Sequence, residues 1–403
     1  MKKILPVFIF CLSLAFTQAE GKTEPLSVVP GAPVLTYGWA DMGKMKYSKS
    51  KKITLIDDTS YPDSKKKRQA FTKAISGSGS RFIVLSGEVD LSDGVISDED
   101  HSYFDEFSSA HNRLHDDIVY SVSSNTTLIG INGAKVKFGG LVIRSASNII
   151  IRNVEFWDAH GSTEMDTKRE PDSKASIDNL VILDGSKNIW IDHCTFSDGI
   201  CNDMVRNYHH DGLIDIPYGM NVTISYCEFK NHDKVMLVGS GEKSLTPKDR
   251  SVTLHHNYFH ATTQRMPRTR GTYMHIYNNV YDKIGVPENA GYSLGPGTNA
   301  KFIVENNYFG SYLGVVIDIY DKGGSKGKPS ALIYFEGNSI AVDETNTRSK
   351  NDKPQRSYNE HIVAEKPWEI PYEYKSNMQD WSKAKDDVLM NAGAGKEVII
   401  EGL

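Results

Sequence analysis

From Arg81 onward the chain breaks into short apolar runs, each ended by Gly, Asn, Asp or Ser, a pattern that predicts many short strands. The runs resemble one another. One set reads Asn148-Ile149-Ile150-Ile151-Arg152-Asn153-Val154-Glu155-Phe156, Asn188-Ile189-Trp190-Ile191-Asp192-His193-Cys194-Thr195-Phe196 and Asn221-Val222-Thr223-Ile224-Ser225-Tyr226-Cys227-Glu228-Phe229. Further copies run through Asn257, Asn279, Asn307 and, more faintly, Asn338. Superposed, Val154, Cys194, Cys227, Asn257, Asn279, Asn307 and Asn338 share one position, 22 to 40 residues apart. Repeats of this size form units that bury their apolar faces by stacking on their neighbours, and the variable length predicts one turn of coil per repeat with loops of differing size.

A second register precedes the first copies: Gly140-Leu141-Val142-Ile143, Asp178-Asn179-Leu180-Val181-Ile182, Asp211-Gly212-Leu213-Ile214-Asp215 and Lys234-Val235-Met236-Leu237-Val238. Two strands per turn, with no helical pattern between them, predict an all-β fold, a right-handed parallel β-helix with a core over about 80–340. Asn257, Asn279, Asn307 and Asn338 are then candidates for an asparagine ladder along the axis. Cys194 and Cys227 fall on adjacent turns, about 4.8 Å apart in backbone; two buried thiols are expected there rather than a disulfide. Cys201 has no assignment. Residues 20–77 read as polar and irregular, with a short helix around Phe71 to Ile75, and the run Lys65-Lys66-Lys67-Arg68 as a solvated face. The tail after 343 loses the strand pattern, and Asp380 to Met390 is expected to be helical and to lie on the outside of the coil.

Residues 1–19 read as a secretory signal: Lys2 and Lys3, an apolar run from Ile4 to Phe16, then Thr17-Gln18-Ala19. A membrane anchor would need about 20 apolar residues, more than this run supplies. The expected product is exported, a single domain over 20–403. The net charge of −5 becomes −7 without Lys2 and Lys3, which argues against nucleic acid as partner. No membrane association is expected of the mature chain, and a monomer is the expected state.

Stacking would also gather charge. Alternation puts Asp211, Leu213 and Asp215 on one strand face, with Asp178 supplied by the preceding turn, Lys234 by the next, and Arg265-Met266-Pro267-Arg268-Thr269-Arg270 by the turn after that. Each aspartate could simply salt-bridge a basic neighbour, but three converging carboxylates favour a hard cation with oxygen ligands, Ca²⁺ suiting an irregular exposed site. Zinc is disfavoured because His209, His210 and Asp211 are adjacent and cannot all face one ion from a regular strand. His193, His255 and His256 read as rung residues. Pro267 removes a ladder donor and predicts an irregular or edge strand. Arginine pairs with carboxylates bidentately, so this cluster suggests an acidic polysaccharide, unless it is a purely structural network.

At these residues the sequence resembles the pectate lyase family, polysaccharide lyase family 1, from about Phe82 to Tyr308. The motifs are Ser124-Asn125-Thr126-Thr127-Leu128-Ile129-Gly130, Trp190-Ile191-Asp192-His193, Asp211-Gly212-Leu213-Ile214-Asp215, Asp233-Lys234 and Arg265-Met266-Pro267-Arg268-Thr269-Arg270. The resemblance implies a right-handed parallel β-helix and Ca²⁺-dependent β-elimination of polygalacturonate. It makes Asp178, Asp211 and Asp215 the calcium ligands, Arg265 the base, and Lys234 and Arg270 the residues that hold the uronate and its neighbour, with Arg268 a weaker match. An arginine base predicts alkaline activity, since a guanidinium ordinarily keeps its proton to about pH 12 or beyond. The competing readings are a pectin lyase on methyl-esterified chains, a galacturonan hydrolase and a non-catalytic adhesin for acidic glycans.

Overall fold

A computed structural model describes residues 24–49, 52–94, 96, 118–159, 177–199, 210–239, 250–286, 289–322, 329–341 and 360–403. The expected leader, His209 and Cys201 lie outside these. Among the described residues the strands form three parallel ladders around one axis, the architecture of a parallel β-helix.

The first ladder stacks Ser147–Arg152, Ser186–Asp192, Gly219–Ser225, Ser251–His255, Tyr273–Tyr277, Lys301–Glu305 and Leu332–Glu336. In register along it run Ile149, Ile189, Val222, Val252, Met274, Phe302 and Ile333, all fully buried. The second ladder stacks Glu155–Trp157, Thr195–Ser197, Glu228–Lys234, Tyr258–Gln264, Val280–Asp282, Tyr308–Phe309 and Ser339–Ile340. Along its inner face the rings of Phe156, Phe196, Phe229, Phe259, Tyr281 and Phe309 stack with centroids 4.7–5.2 Å apart. The third ladder stacks Val119–Ser121, Gly140–Ile143, Leu180–Ile182, Ile214–Ile216, Met236–Val238, Arg268–Thr269, Tyr292–Pro296 and Val315–Ile317.

The corner between the first two ladders explains the repeat motif. Asn153, His193, Tyr226, His256, Asn278, Asn306 and Gly337 occupy it on successive turns, every one with positive φ. One left-handed residue turns the chain sharply, and asparagine tolerates that conformation better than most side chains. The residue after each corner is the shared position of the repeat, and there the predicted ladder forms: Asn257 Nδ2 donates to Asn279 Oδ1 at 2.9 Å, Asn279 to Asn307 at 3.0 Å and Asn307 to Asn338 at 2.8 Å. Cys194 and Cys227 continue that row as free, buried thiols. A second ladder, not anticipated, joins Asn125, Asn148, Asn188 and Asn221 at 3.0–3.2 Å.

The coil begins earlier than expected. Ile53–Ile56 already pairs with Arg81–Asp90, and the helix Ser64–Ser76, capped by the Asp63 side chain on Lys66 N, covers that end with buried Phe71 and Ile75. Lys67 departs from the expected solvated face: it is 2% exposed, with its ammonium on Asp58 at 2.7 Å and Ser86 O at 2.9 Å. The helix Trp381–Asn391 lies outside the coil, where Tyr226 donates to Asp387 at 2.9 Å, and Val398–Ile400 pairs with Leu26–Val28. Among the described residues no helix is long and apolar enough to cross a membrane.

Glu305 ties the C-terminal segment to the first ladder, accepting from Lys366 at 2.8 Å, Tyr374 at 3.1 Å and His275 at 3.2 Å. Burial opposes its ionisation, yet these donors bring it down to about 2. A depressed carboxylate contributes stability that is present above its ordinary value of 4.5 and is lost as pH falls toward 2. Glu305→Gln is expected to cost on the order of 2 kcal/mol at neutral pH and to flatten the fall in stability over that window, measured by denaturant titration at each pH. In the same assay Asn279→Ala, which takes the acceptor from the Asn257 N–H groups on one side and the donor from Asn307 Oδ1 on the other, is expected to cost about 2–4 kcal/mol.

Candidate active site

Of the charged residues singled out by the sequence, Asp215 and Arg268 lie in strands of the third ladder, Asp178 and Asp211 just ahead of its strands, and Lys234 and Arg265 where the second ladder ends and the chain turns toward it. In Ile214–Ile216 the flanking isoleucines are fully buried, so Asp215 points outward. Its neighbours in register are Val181, Leu237 and, one turn further, Arg268. Leu237 N donates to Asp215 Oδ1 at 3.0 Å, and Gly212 N to Asp178 Oδ1 at 2.5 Å. A side chain at 212 would not fit. Its Cβ would stand 2.6 Å from Asp178 Oδ1 and 3.0 Å from Asp215 Oδ1.

That geometry corrects the expected alternation. The strand covers only 214–216, and Leu213 turns into the core beside Ile214. Asp211 therefore does not share a strand face with Leu213 and Asp215; it approaches from the segment ahead of the strand, its N–H directed at Ile177 O at 3.4 Å. The backbone bends at Gly212 and Leu213, and a strict period of two fails across a bend.

The three carboxylates still act on one another. Asp178 is held well above the usual carboxylate range, first by burial, then by Asp215 and Asp211. Asp215 is pushed up to about 6 by burial, opposed by the Leu237 N–H, raised again by Asp211, and drawn down by Arg265 and His232. Among the described residues no three acidic, histidine or cysteine side chains close around a single point, so an ion here would keep water among its ligands. An all-oxygen donor set, mutually repulsive and opened by a glycine, suits a hard dication of the Ca²⁺ kind. Zinc fits worse, because the His210 ring is bound to Asp158, Nε2 to Oδ1 at 2.7 Å.

Lys234 ends its strand in register with Gln264, and Arg265 follows directly, in a left-handed conformation with φ 64°. For a residue other than glycine that conformation costs about 1–2 kcal/mol. The Met266–Pro267 bond is cis, and the ladder strand resumes at Arg268. Pro267 thus sits in an irregular segment, as expected, but inside the sheet and not at its edge. The field of Arg265 reaches Asp178, Asp215 and Asp233. Its Nε and that of Arg268 are buried without a hydrogen-bond partner among the described residues. Arg268 and Arg270 flank fully buried Thr269, which turns both outward.

Sequence reasoning missed two supports. The Arg268 guanidinium lies 3.8 Å above the centre of the Tyr320 ring, and Tyr320 belongs to a stretch that carries no repeat motif. Asp233, 4% exposed, accepts from Gln264 at 3.0 Å and Asn289 at 3.2 Å, visible beforehand only as the neighbour of Lys234. Trp190-Ile191-Asp192-His193 lies elsewhere, on the first ladder. There Asp192 binds Arg152, His193 and Ser225, each at 2.6 Å.

The family model described as pectate lyase matches residues 34–397. Pectate lyase E of Dickeya chrysanthemi is 30% identical over 387 residues, covering 90% of this chain and 90% of that protein. The pectate lyase of Bacillus subtilis (strain 168) is 31% identical over 296 residues, covering 69% and 66%. Among solved structures, a pectate lyase bound to hexasaccharide superposes with a TM-score of 0.68 at 22% identity, over 91% of this chain and 99% of that one. The right-handed parallel β-helix expected from the repeats is the fold this chain shares with it.

A dication held by aspartates that only the fold brings together would bind the folded state alone. Calcium at about a hundred times its dissociation constant is therefore expected to add about 2.7 kcal/mol to unfolding stability. Asp215→Asn is expected to abolish the increment without weakening the chelator-treated protein, since one of three repelling charges is gone. An undiminished increment in that variant would remove Asp215 from the cation site.

Proposed function

The chain belongs to the pectate lyase family of polysaccharide lyases, and from that premise we propose that it cleaves α-1,4-linked polygalacturonate by calcium-dependent β-elimination, releasing unsaturated oligogalacturonides. One observation carries the reading: the carboxylates of Asp178, Asp211 and Asp215 repel one another, and Asp178 and Asp215 lie within the field of a single arginine, Arg265, with Lys234 on the next turn. A hydrolase would instead need carboxylates placed as acid and base around a water.

In this mechanism Arg265 takes the proton from C5 of the uronate. The electron pair left behind delocalises toward the adjoining carboxylate and then forms the C4=C5 double bond. The C4–O4 bond breaks and the departing sugar leaves with its electrons, to be protonated by solvent. Charge grows on the uronate carboxylate as the C5 proton leaves, and the Lys234 ammonium, fixed in place beforehand, stabilises it. Arg268, held over the Tyr320 ring, and Arg270 receive neighbouring carboxylates through two-pronged hydrogen bonds. Asp178, Asp211 and Asp215 would hold Ca²⁺, which supplies positive charge against the substrate carboxylate.

The aspartate trio also supports unesterified galacturonate over methyl-esterified pectin as the substrate, because an ester offers a cation no anionic partner. Residues 1–19, read as a secretory signal, support export of the enzyme to where its polysaccharide is met, with a monomer as the expected state.

Ultraviolet absorbance of the unsaturated product decides the matter. Purified protein on polygalacturonate with calcium is expected to give a steady rise that chelator abolishes and that steepens from neutral to alkaline pH. Arg265→Ala is expected to slow it about 10²–10⁴-fold, the usual worth of a positioned base. No rise from folded protein under any of these conditions would leave a glycan-binding adhesin as the reading.

A further inference from the structure

His210 and His232 immediately precede Asp211 and the Asp233-Lys234 pair in sequence. Both rings are buried in the wall of the coil, where they meet two aspartates that stack on successive turns. Asp158 and Asp198 follow Trp157 and Ser197, which pair in register, and Asp158 N donates to Ser197 O at 2.9 Å. The contacts form a chain. Asp158 Oδ1 meets His210 Nε2 at 2.7 Å, His210 Nδ1 lies 3.6 Å from Asp198 Oδ2, Asp198 Oδ1 meets His232 Nδ1 at 2.6 Å, and His232 Nε2 meets the carbonyl oxygen of Lys234 at 3.0 Å. None of the four side chains is more than 2% exposed.

Four ionisable groups buried together are a poor way to stabilise a wall. Well-packed apolar side chains of similar volume usually do as well or better, and where buried ionic groups persist they can serve conformational specificity. What this chain specifies is the corner at Lys234. There the second-ladder strand Glu228–Lys234 ends and the chain turns into Met236–Val238 of the third ladder. A bond from the His232 ring to the carbonyl two residues ahead closes that corner on itself. At the other end His210 is tethered one residue before Asp211, whose segment lies outside regular strand.

We propose that Asp158, His210, Asp198 and His232 are positioning residues that brace the main chain at Lys234 and Asp211, so that the Lys234 ammonium meets the uronate, and the Asp211 carboxylate the cation, in a fixed geometry. The assignment rests on the pectate lyase reading for what Lys234 does, but not for how it is held. Misplacement of a catalytic group by about 1 Å can cost 10²-fold in rate, which gives the brace a magnitude.

The test compares His232→Leu, His232→Gln, Asp198→Asn and Asp158→Asn with the wild type. Asn279→Ala serves as a control that weakens the coil away from the site. Rates are read on polygalacturonate with saturating calcium, well below each melting temperature. His232→Leu is expected to lose on the order of 10²-fold in kcat with KM within about threefold. His232→Gln, whose amide can still donate to the Lys234 carbonyl, is expected to recover most of that loss. The aspartate variants should rank by distance from Lys234, Asp198→Asn losing more kcat than Asp158→Asn, and Asn279→Ala should lose stability without kcat.

A second readout needs no turnover. In protein whose lysines carry ¹³C-methyl groups, the Lys234 resonance, identified by its loss in Lys234→Arg, is expected to stay displaced from the exposed lysines in wild type, His232→Gln and Asn279→Ala. In His232→Leu it should collapse onto them. Equal kcat in all variants, equal losses in His232→Leu and His232→Gln, or an unmoved Lys234 resonance in His232→Leu would each overturn the brace. If the wild type releases no unsaturated product, the lyase reading falls, while the resonance still decides whether the chain of histidines and aspartates holds Lys234.

Discussion

Backbone hydrogen bonding between successive turns sets a repeat of about 4.8 Å along the axis, and every residue at a given rung position is carried to within that distance of its equivalents above and below. Side chains have to tolerate their own kind at close quarters. Asparagine does so by donating one way and accepting the other, as from Asn257 to Asn338. Phenylalanine does so by stacking, with rings as near as 4.8 Å between Phe156 and Phe196. Asp178 and Asp215 are not rung equivalents, since Asp215 pairs with Val181, but the same stacking of turns leaves both carboxylates against Gly212, where like charges do not tolerate each other. Two charges about 5 Å apart repel by roughly 3 kcal/mol at an effective dielectric constant near 20. The rung spacing that builds the core thus builds, on its outer face, a place that asks for a cation.

Much of this was legible because the constraint is periodic. An alignment of the chain on itself puts Cys194 beside Cys227 and Asn257 beside Asn279 without any knowledge of the corner that makes them neighbours. The second asparagine row was present in the same alignment, at Asn148, Asn188 and Asn221, but as the leading residue of each copy it read as a boundary. Its members take positive φ, which is why asparagine recurs there. Periodicity failed where the chain leaves it. The bend at Gly212 and Leu213 broke the alternation that had placed Asp211 on the strand face, and Lys67, read as part of a solvated basic run, is buried against Asp58 because the helix that carries it caps the coil. Tyr320 had no pattern to announce it; only the fold brings it under Arg268.

The three ladders divide the labour by what covers them. The described terminal segments bond to the first ladder and its corner: Ala40 N to Thr223, Trp39 N to Thr253, Tyr372 to Thr253, and Lys366 and Tyr374 to Glu305. Trp190-Ile191-Asp192-His193, one of the motifs that carry the family resemblance, lies on this side, with the Asp192 carboxylate ion-paired to Arg152 and hydrogen-bonded to His193. Its aspartate meets the demands of burial with a salt bridge and three strong hydrogen bonds, which leaves nothing over for a ligand. A motif can therefore mark a family through its architecture while the chemistry sits on another sheet.

The contrast between Asp192 and the aspartates of the third ladder is the sharper guide to function. All are deeply placed, and all would be raised by burial. Asp192 is nevertheless held well below the usual carboxylate range, because the protein supplies Arg152, His193 and Ser225 at hydrogen-bond distance. Asp178 and Asp215 receive one backbone N–H each and the field of Arg265, and both stay raised, against each other and against Asp211. A fold able to satisfy one buried carboxylate so fully leaves these others short of positive charge on the face that also carries Lys234, Arg268 and Arg270. An unmet demand of that kind costs stability in the free protein, and binding a cation and a polyanion together would relieve it.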